Sequence, residues 1–136
     1  MDMIEKLSFK AGLMTAFSEV VYREAKKIAF SSVLEPEEVE VICMIADKIL
    51  KEYPIKYFLE EELIETNFST QEKIKGKWVI IFYKFDKDIE KYHKLKEKVN
   101  NLKSHNSYDS MARREATEEL CRLLGYSEEH IKELAG

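Results

Sequence analysis

The densest run of side chains able to bind or move charge is Ser104-His105-Asn106-Ser107-Tyr108-Asp109, followed about one helical turn later by Arg113 and Arg114. An imidazole can exchange a proton near neutral pH and a phenol can donate a hydrogen bond. Two guanidiniums at a helix start can hold a carboxylate or phosphate in bidentate fashion, with the helix dipole assisting. His105 is therefore the candidate general acid or base, and Arg113, Arg114, Tyr108 and Asn106 are the candidate contacts for a small anionic ligand. The plainer reading is that Ser, Asn and Asp are common turn and cap residues, so the run simply joins two helices.

A second pattern is the lysine series 84, 87, 91, 94 and 98. From Lys87 the spacing is i, i+4, i+7, i+11, which lines four ammonium groups along one helix face. Such a stripe could grip an acidic partner or a phosphate backbone. It has no arginine and no interleaved aromatic, and Glu90 and Glu97 lie beside it, so it reads first as a solvated face. Glu60, Glu61, Glu62 and Glu65 alternate if the segment is a strand, which sends them to opposite faces; this pattern suits an exposed strand edge better than a metal site. Glu19 and Arg23 are spaced for an i, i+4 surface pair.

Other chemistry is not encoded. The sequence has no Gly-rich phosphate loop, nucleophile elbow, paired-cysteine spacing or His-Glu-x-x-His, and His93, His105 and His130 fall in separate elements, so no metal and no cofactor are implied. Cys43 and Cys121 are the only cysteines and lie among apolar residues far apart, which is not a disulfide framework. The net charge of −4 disfavours general nucleic-acid binding. Residues 1–72 hold 8 basic and 15 acidic groups and residues 73–136 hold 14 and 11, a polarity that serves self-association or is neutralised within the fold. The apolar runs 41–46 and 78–83 are too short to span a membrane and no export signal is visible, so a cytoplasmic location is expected. Abundant Lys, Glu and Ile with a single glutamine, Gln71, give a thermophile-like composition.

The elements that must position these groups can be placed by periodicity. Met14, Phe17, Val21, Ala25 and Ile28 predict a helix from Phe9 to about Phe30. Pro36, followed by Glu37 and Glu38, predicts a second helix to Tyr53, apolar nearly all round from Val41 to Ala46 and so the most buried. Ile55–Thr66 and Lys77–Lys84 predict two antiparallel strands, and Ser69 with Glu72 predicts a capped helical turn between them. Ile89, Tyr92, Leu95, Val99 and Leu102 predict a third helix from Asp86 to Lys103. A fourth starts at Asp109 or Ser110 and ends before Gly125, and Ser127 caps a last one through Leu134.

Leu120–Leu134 resembles the core of a helix-turn-helix, with Cys121 four residues before the turn glycine, Gly125, then Ser127 and Ile131. It presents Glu128, Glu129 and Glu133 where a DNA-reading helix needs Arg, Lys, Asn or Gln. The same Leu-Gly-Tyr turn occurs in ubiquitin-associated-type helical bundles. Arg122–Ser127, R-L-L-G-Y-S, resembles the G-R-L-L-G-Y-P-x-C-C signature of an uncharacterised archaeal protein family. Cys121, Ser127, Glu129 and His130 stand where that signature has glycine, proline and the cysteine pair, and the resemblance implies no activity.

The expectation is one α+β domain over residues 1–136, helix-rich, with four to five helices around a small antiparallel sheet. A sheet this small favours a homodimer that buries more surface. The leading function is a noncatalytic interaction or regulatory module with a protein partner or a second copy of itself. The alternative is an anionic-ligand binding protein or enzyme using residues 104–114, and the third is weak nucleic-acid binding through the 84–98 lysines.

Overall fold

A computed structural model describes residues 2–136. The first helix, α1 (Met3–Tyr22), starts earlier than periodicity predicts because the Asp2 side chain caps it, accepting from the Glu5 amide at 2.8 Å. It also ends earlier. Glu24 takes a left-handed φ of 65°, and the chain turns into a short strand, β1 (Ile28–Phe30), in place of the predicted last helical turns. Sheet pairing overrides helical spacing here, because Ile28 and Ala29 are buried against a strand edge that would otherwise stay open.

A 3-10 turn at Pro36–Glu38 leads into α2 (Val39–Glu52), as the proline predicts. Then follow β2 (Lys56–Glu60), a single turn α3 (Gln71–Ile74), β3 (Val79–Tyr83), α4 (Asp86–Ser104), α5 (Ser110–Leu123) and α6 (Glu128–Ala135). The sheet order is β1-β3-β2, antiparallel throughout, with Ile81 facing Phe30 on one side and Phe58 on the other. Two strands were expected and three are present, covered on both faces. Alternation along β3 sends Ile80 and Phe82 toward α1 and α2, and Val79, Ile81 and Tyr83 toward α4 and α5. The result is a helix-rich α+β domain in three layers.

α2 is not the fully buried helix its composition suggests. Ile42 and Ala46 are buried, while Val41 and Met44 are 43% and 58% exposed. It lies on the outside of its layer with one side in contact, so the apolar run wraps past the interface. β2 also stops short, at Glu60, and residues 61–66 form a loop. Glu60 itself is 2% exposed and does not form part of an acidic edge. Its carboxylate accepts from the Tyr92 hydroxyl, from Lys96 Nζ at 2.6 Å and from the Glu62 amide at 3.1 Å. Burial, reinforced by the Glu60 charge, pushes the Tyr92 phenol well up, so it remains a donor.

Thr70, not Ser69, precedes α3, so the predicted Ser69–Glu72 capping box does not form. The C-terminal helices follow the sequence closely. Asp109 accepts from the Ala112 amide at 2.9 Å, Gly125 is left-handed at φ 82°, and Ser127 accepts from the His130 amide at 3.2 Å.

Candidate functional site

The loop after α4 does not assemble the site that its residue types suggest. His105 closes the helix, its Nδ1 lying 2.8 Å from the Asn101 carbonyl and 3.2 Å from Ser104 Oγ. Asn106 is left-handed at φ 55°. The Tyr108 hydroxyl donates to the Glu65 carbonyl at 2.5 Å, and burial followed by the Glu65 charge pushes the phenol up to about 12, with Arg113 opposing. Arg113 Nε donates to Asn67 Oδ1 at 2.9 Å. Asn67 also donates to the Ala135 carbonyl at 2.7 Å and, through its amide, to Thr117 Oγ1 at 3.0 Å. Arg113 therefore ties the 61–70 loop to α5 and α6. Arg114 reaches Glu118 at 3.4 Å, on the surface.

Asn106 and Tyr108 share a shallow groove with Glu65 and Lys103, His105 lines a separate one with Lys94 and Leu102, and neither arginine lines either. A deeper cleft of about 250 Å³ lies between the 61–76 segment and α4. Of its three lysines, Lys96 and Lys103 are already paired with Glu60 and Glu65, and Lys75 shares the lining with Glu61, Glu62 and Glu65.

Charge that the chain leaves unbalanced gathers instead at the other end of α4. The left-handed turn at Glu24 brings the 23–27 loop beside the β3–α4 junction, and the two enclose a cleft of about 150 Å³. Lys26, Lys27, Lys84 and Lys87 line it together with Glu24 and Asp88, and Val21 and Phe85 supply apolar wall. Lys84 is fixed: its Nζ donates to the Tyr22 carbonyl at 2.9 Å and to Glu24 at 3.2 Å, and lies 5.0 Å from the Tyr22 ring centroid. Lys26 sits 5.6 Å from the Tyr126 ring centroid, and burial holds its pKa below the usual lysine value. Among the described residues Lys26, Lys27 and Lys87 form no salt bridge.

Asp88 is the unusual member. It lies in the first turn of α4, is 2% exposed, and its Oδ1 has no hydrogen-bond partner. Buried polar atoms are nearly always paired, so this carboxylate oxygen is an exception. The other orphan among the described residues, Ser18 Oγ, stands one turn before Val21 on α1. Four lysines against two carboxylates leave the cleft with a formal charge of +2.

The lysine stripe is thus divided. Lys87 enters this cleft, Lys91 lies beside Lys27 and Arg122, and Lys98 reaches Glu119 at 3.6 Å. Lys26 and Lys27 escape sequence reasoning because the helical period runs on through them and places them on a polar helix side. Asp88 escapes because acids are ordinary in a first helical turn. No residue between Tyr22 and Ile28 signals the turn, since the segment holds neither glycine nor proline and the left-handed position falls to Glu24.

No group of three or more His, Cys, Asp or Glu able to hold a metal occurs among the described residues, and no helix there is long and apolar enough to cross a membrane. Comparison with known proteins finds no matching family model, curated protein or solved structure. The R-L-L-G-Y-S likeness therefore rests on the six residues of the α5–α6 corner.

Proposed function

We propose that this protein is a small binding module for an anionic ligand, and that the cleft of Lys26, Lys27, Lys84, Lys87 and Asp88 is its site. The observation that carries this reading is a cleft lined by four lysines against two carboxylates, three of the lysines, Lys26, Lys27 and Lys87, having no salt-bridge partner among the described residues. The start of a nineteen-residue helix adds its partial positive charge. A ligand that binds only the folded state raises the melting temperature by mass action. Millimolar phosphate or sulfate is expected to do so relative to chloride at equal ionic strength. Lys26→Ala and Lys87→Ala are each expected to weaken binding about tenfold, the size of one lost charged hydrogen bond. Absence of any shift with both anions would overturn the proposal.

A second reading, self-association, is favoured by the outer face of α1. Glu5, Phe9, Gly12, Ala16, Glu19 and Arg23 recur at spacings of four and three, and Phe9, Gly12 and Ala16 are exposed. A helix apolar on its solvent side as well as its core side usually has something packed on both. Antiparallel pairing that sets Gly12 against the partner subunit's Ala16 lets the small residues approach closely and brings Glu5 opposite the partner subunit's Arg23. Sedimentation equilibrium is expected to read twice the chain mass, and Ala16→Glu to return it to one. A single-chain mass at every concentration would end this reading.

A further inference from the structure

The face that carries the lysine cleft also carries flat apolar surface. Among the described residues three aromatic rings are exposed, Phe9, Phe85 and Tyr126, and two of them adjoin the cleft. Phe85 lines it, and Tyr126 meets it through Lys26, whose Nζ lies 5.6 Å from the Tyr126 ring centroid. Both rings stand on fixed backbone. Phe85 precedes α4 and its carbonyl accepts from the Asp88 amide at 3.0 Å, while Tyr126 follows the left-handed Gly125 and its amide donates to the Cys121 carbonyl at 3.0 Å. The cations continue past the first cleft, because Lys27 also lines a neighbouring cleft of about 230 Å³ together with Lys91 and Arg122. Arg122 is taken up by Glu128 and Glu118, whereas Lys91 has no salt bridge among the described residues. Lys26 and Lys27 therefore connect two clefts and two exposed rings.

Unpaired cations set between exposed rings match a single strand of nucleic acid, which offers phosphates at intervals and base faces that gain by stacking. Resting on the anion-site reading above, we infer that this face binds single-stranded nucleic acid, with Lys26, Lys27, Lys87 and Lys91 meeting phosphates and Phe85 and Tyr126 each stacking on a base. Lys87 Nζ lies 5.5 Å from the Phe85 centroid, close to the Lys26–Tyr126 distance, and an ammonium this near a ring is attracted to it. A base laid on either ring displaces that ammonium, which turns to the adjoining phosphate. Lys84 keeps its bonds to the Tyr22 carbonyl and Glu24 and so holds its side of the cleft in place. A condensed phosphate chain uses the lysines and leaves both rings in water. The apolar side chains of an acidic peptide need pockets, whereas the surface offered is two ring faces. A duplex hides its base faces and reaches the lysines alone. The chain's net charge of −4 does not prevent binding, since charges beyond about 10 Å are largely screened at about 0.1 M salt, and four lysines against two carboxylates leave the cleft itself positive.

The test is fluorescence anisotropy of end-labelled oligothymidylate and oligouridylate of about twelve nucleotides, within the span of one small binding domain, titrated with the full chain at low salt. The matching duplex, inorganic polyphosphate of the same length and polyglutamate are titrated beside them. The single strand is expected to bind at least about fivefold more tightly than the duplex, the worth of one stacked base, and the tighter of the two oligonucleotides identifies DNA or RNA as its source. Phe85→Ala and Tyr126→Ala are each expected to weaken the single strand by about fivefold or more beyond any effect on polyphosphate, and Tyr126→Phe to retain the wild-type affinity. Duplex or polyglutamate bound as tightly as the single strand overturns the inference and leaves the anion site standing. So does binding of polyphosphate without the strand, or an equal loss of strand and polyphosphate when either ring is removed. Binding of no polyanion, inorganic phosphate included, removes both readings. The duplex comparison needs no variant, so the inference remains falsifiable if a ring variant fails to fold.

Discussion

Replacing Phe82 with alanine is expected to lower the unfolding free energy by about 3–5 kcal/mol, the usual range for emptying a buried aromatic site. Phe82 is fully buried in the central strand, on the face packed by Met14 and Val21 of α1 and by Ile42 and Ala46 of α2. It is held by neighbours on both sides, Ala29 of β1 and Tyr57 of β2. A strand fixed on two edges cannot shift to fill the space, so most of the cavity should persist and the cost should fall toward the upper end. A domain of this kind has about 5–15 kcal/mol of stability in all, so the variant should unfold at much lower urea with its slope unchanged. Phe85→Ala is the comparison: that ring is 42% exposed at the mouth of the lysine cleft and should cost far less. A loss below about 1 kcal/mol for Phe82 would mean that the α1–α2 layer does not pack on the sheet as described.

Elements whose signals are local were legible in the sequence. Pro36, the Asp109 and Ser127 caps and Gly125 act through their own backbone neighbours, and the structure places each where its chemistry predicts. The Trp78–Tyr83 run could be recognised as a core strand from its β-branched and aromatic residues, whereas its central place between β1 and β2 and its cover on both faces come from the structure. What was not legible depends on partners distant in sequence. Ile28–Phe30 has helical spacing with the residues before it and becomes a strand only because β3 offers an edge. Glu60 is indistinguishable from Glu61 and Glu62 until Tyr92 and Lys96 arrive from α4. The candidate site shows the same division. The type and position of Arg113 suggest a ligand clamp, but Asn67 occupies it. Lys26 and Asp88 meet across 62 positions of sequence, a juxtaposition that periodicity fixes for neither.

Glu38→Ala is expected to cost about 3–5 kcal/mol as well, by a different route. Glu38 stands at the junction of the 3-10 turn and α2, and its side chain is 1% exposed. Lys10 Nζ reaches Oε2 at 2.6 Å, the Glu35 amide donates to Oε1 at 3.0 Å, and Lys6 lies 3.6 Å from Oε1. Removing the carboxylate leaves the Lys10 ammonium buried with only the Val33 carbonyl at 3.2 Å, and an uncompensated buried charge is what makes the single change severe. Lys10→Met with Glu38→Leu removes both charges together and should recover most of the loss, since apolar groups in place of a buried pair are often neutral or stabilising.

The same contacts set a pH dependence whose sign follows from the carboxyl itself. Burial pushes the Glu38 pKa up, but the Lys10 hydrogen bond, the Glu35 amide and the charges of Lys10 and Lys6 outweigh it, so the folded value lies below the ordinary 4.5. The unfolded chain therefore takes up this proton more readily than the folded one. The contribution of Glu38 to stability is present in full above the ordinary value and is lost as pH falls through the folded one. Glu38→Gln cannot titrate, so its unfolding free energy should fall less steeply than wild type between about pH 5 and the acid limit of folding, and the two curves should converge there. Parallel curves over that range would show that the Lys10–Glu38 pair does not carry the acid sensitivity of the α1–α2 junction.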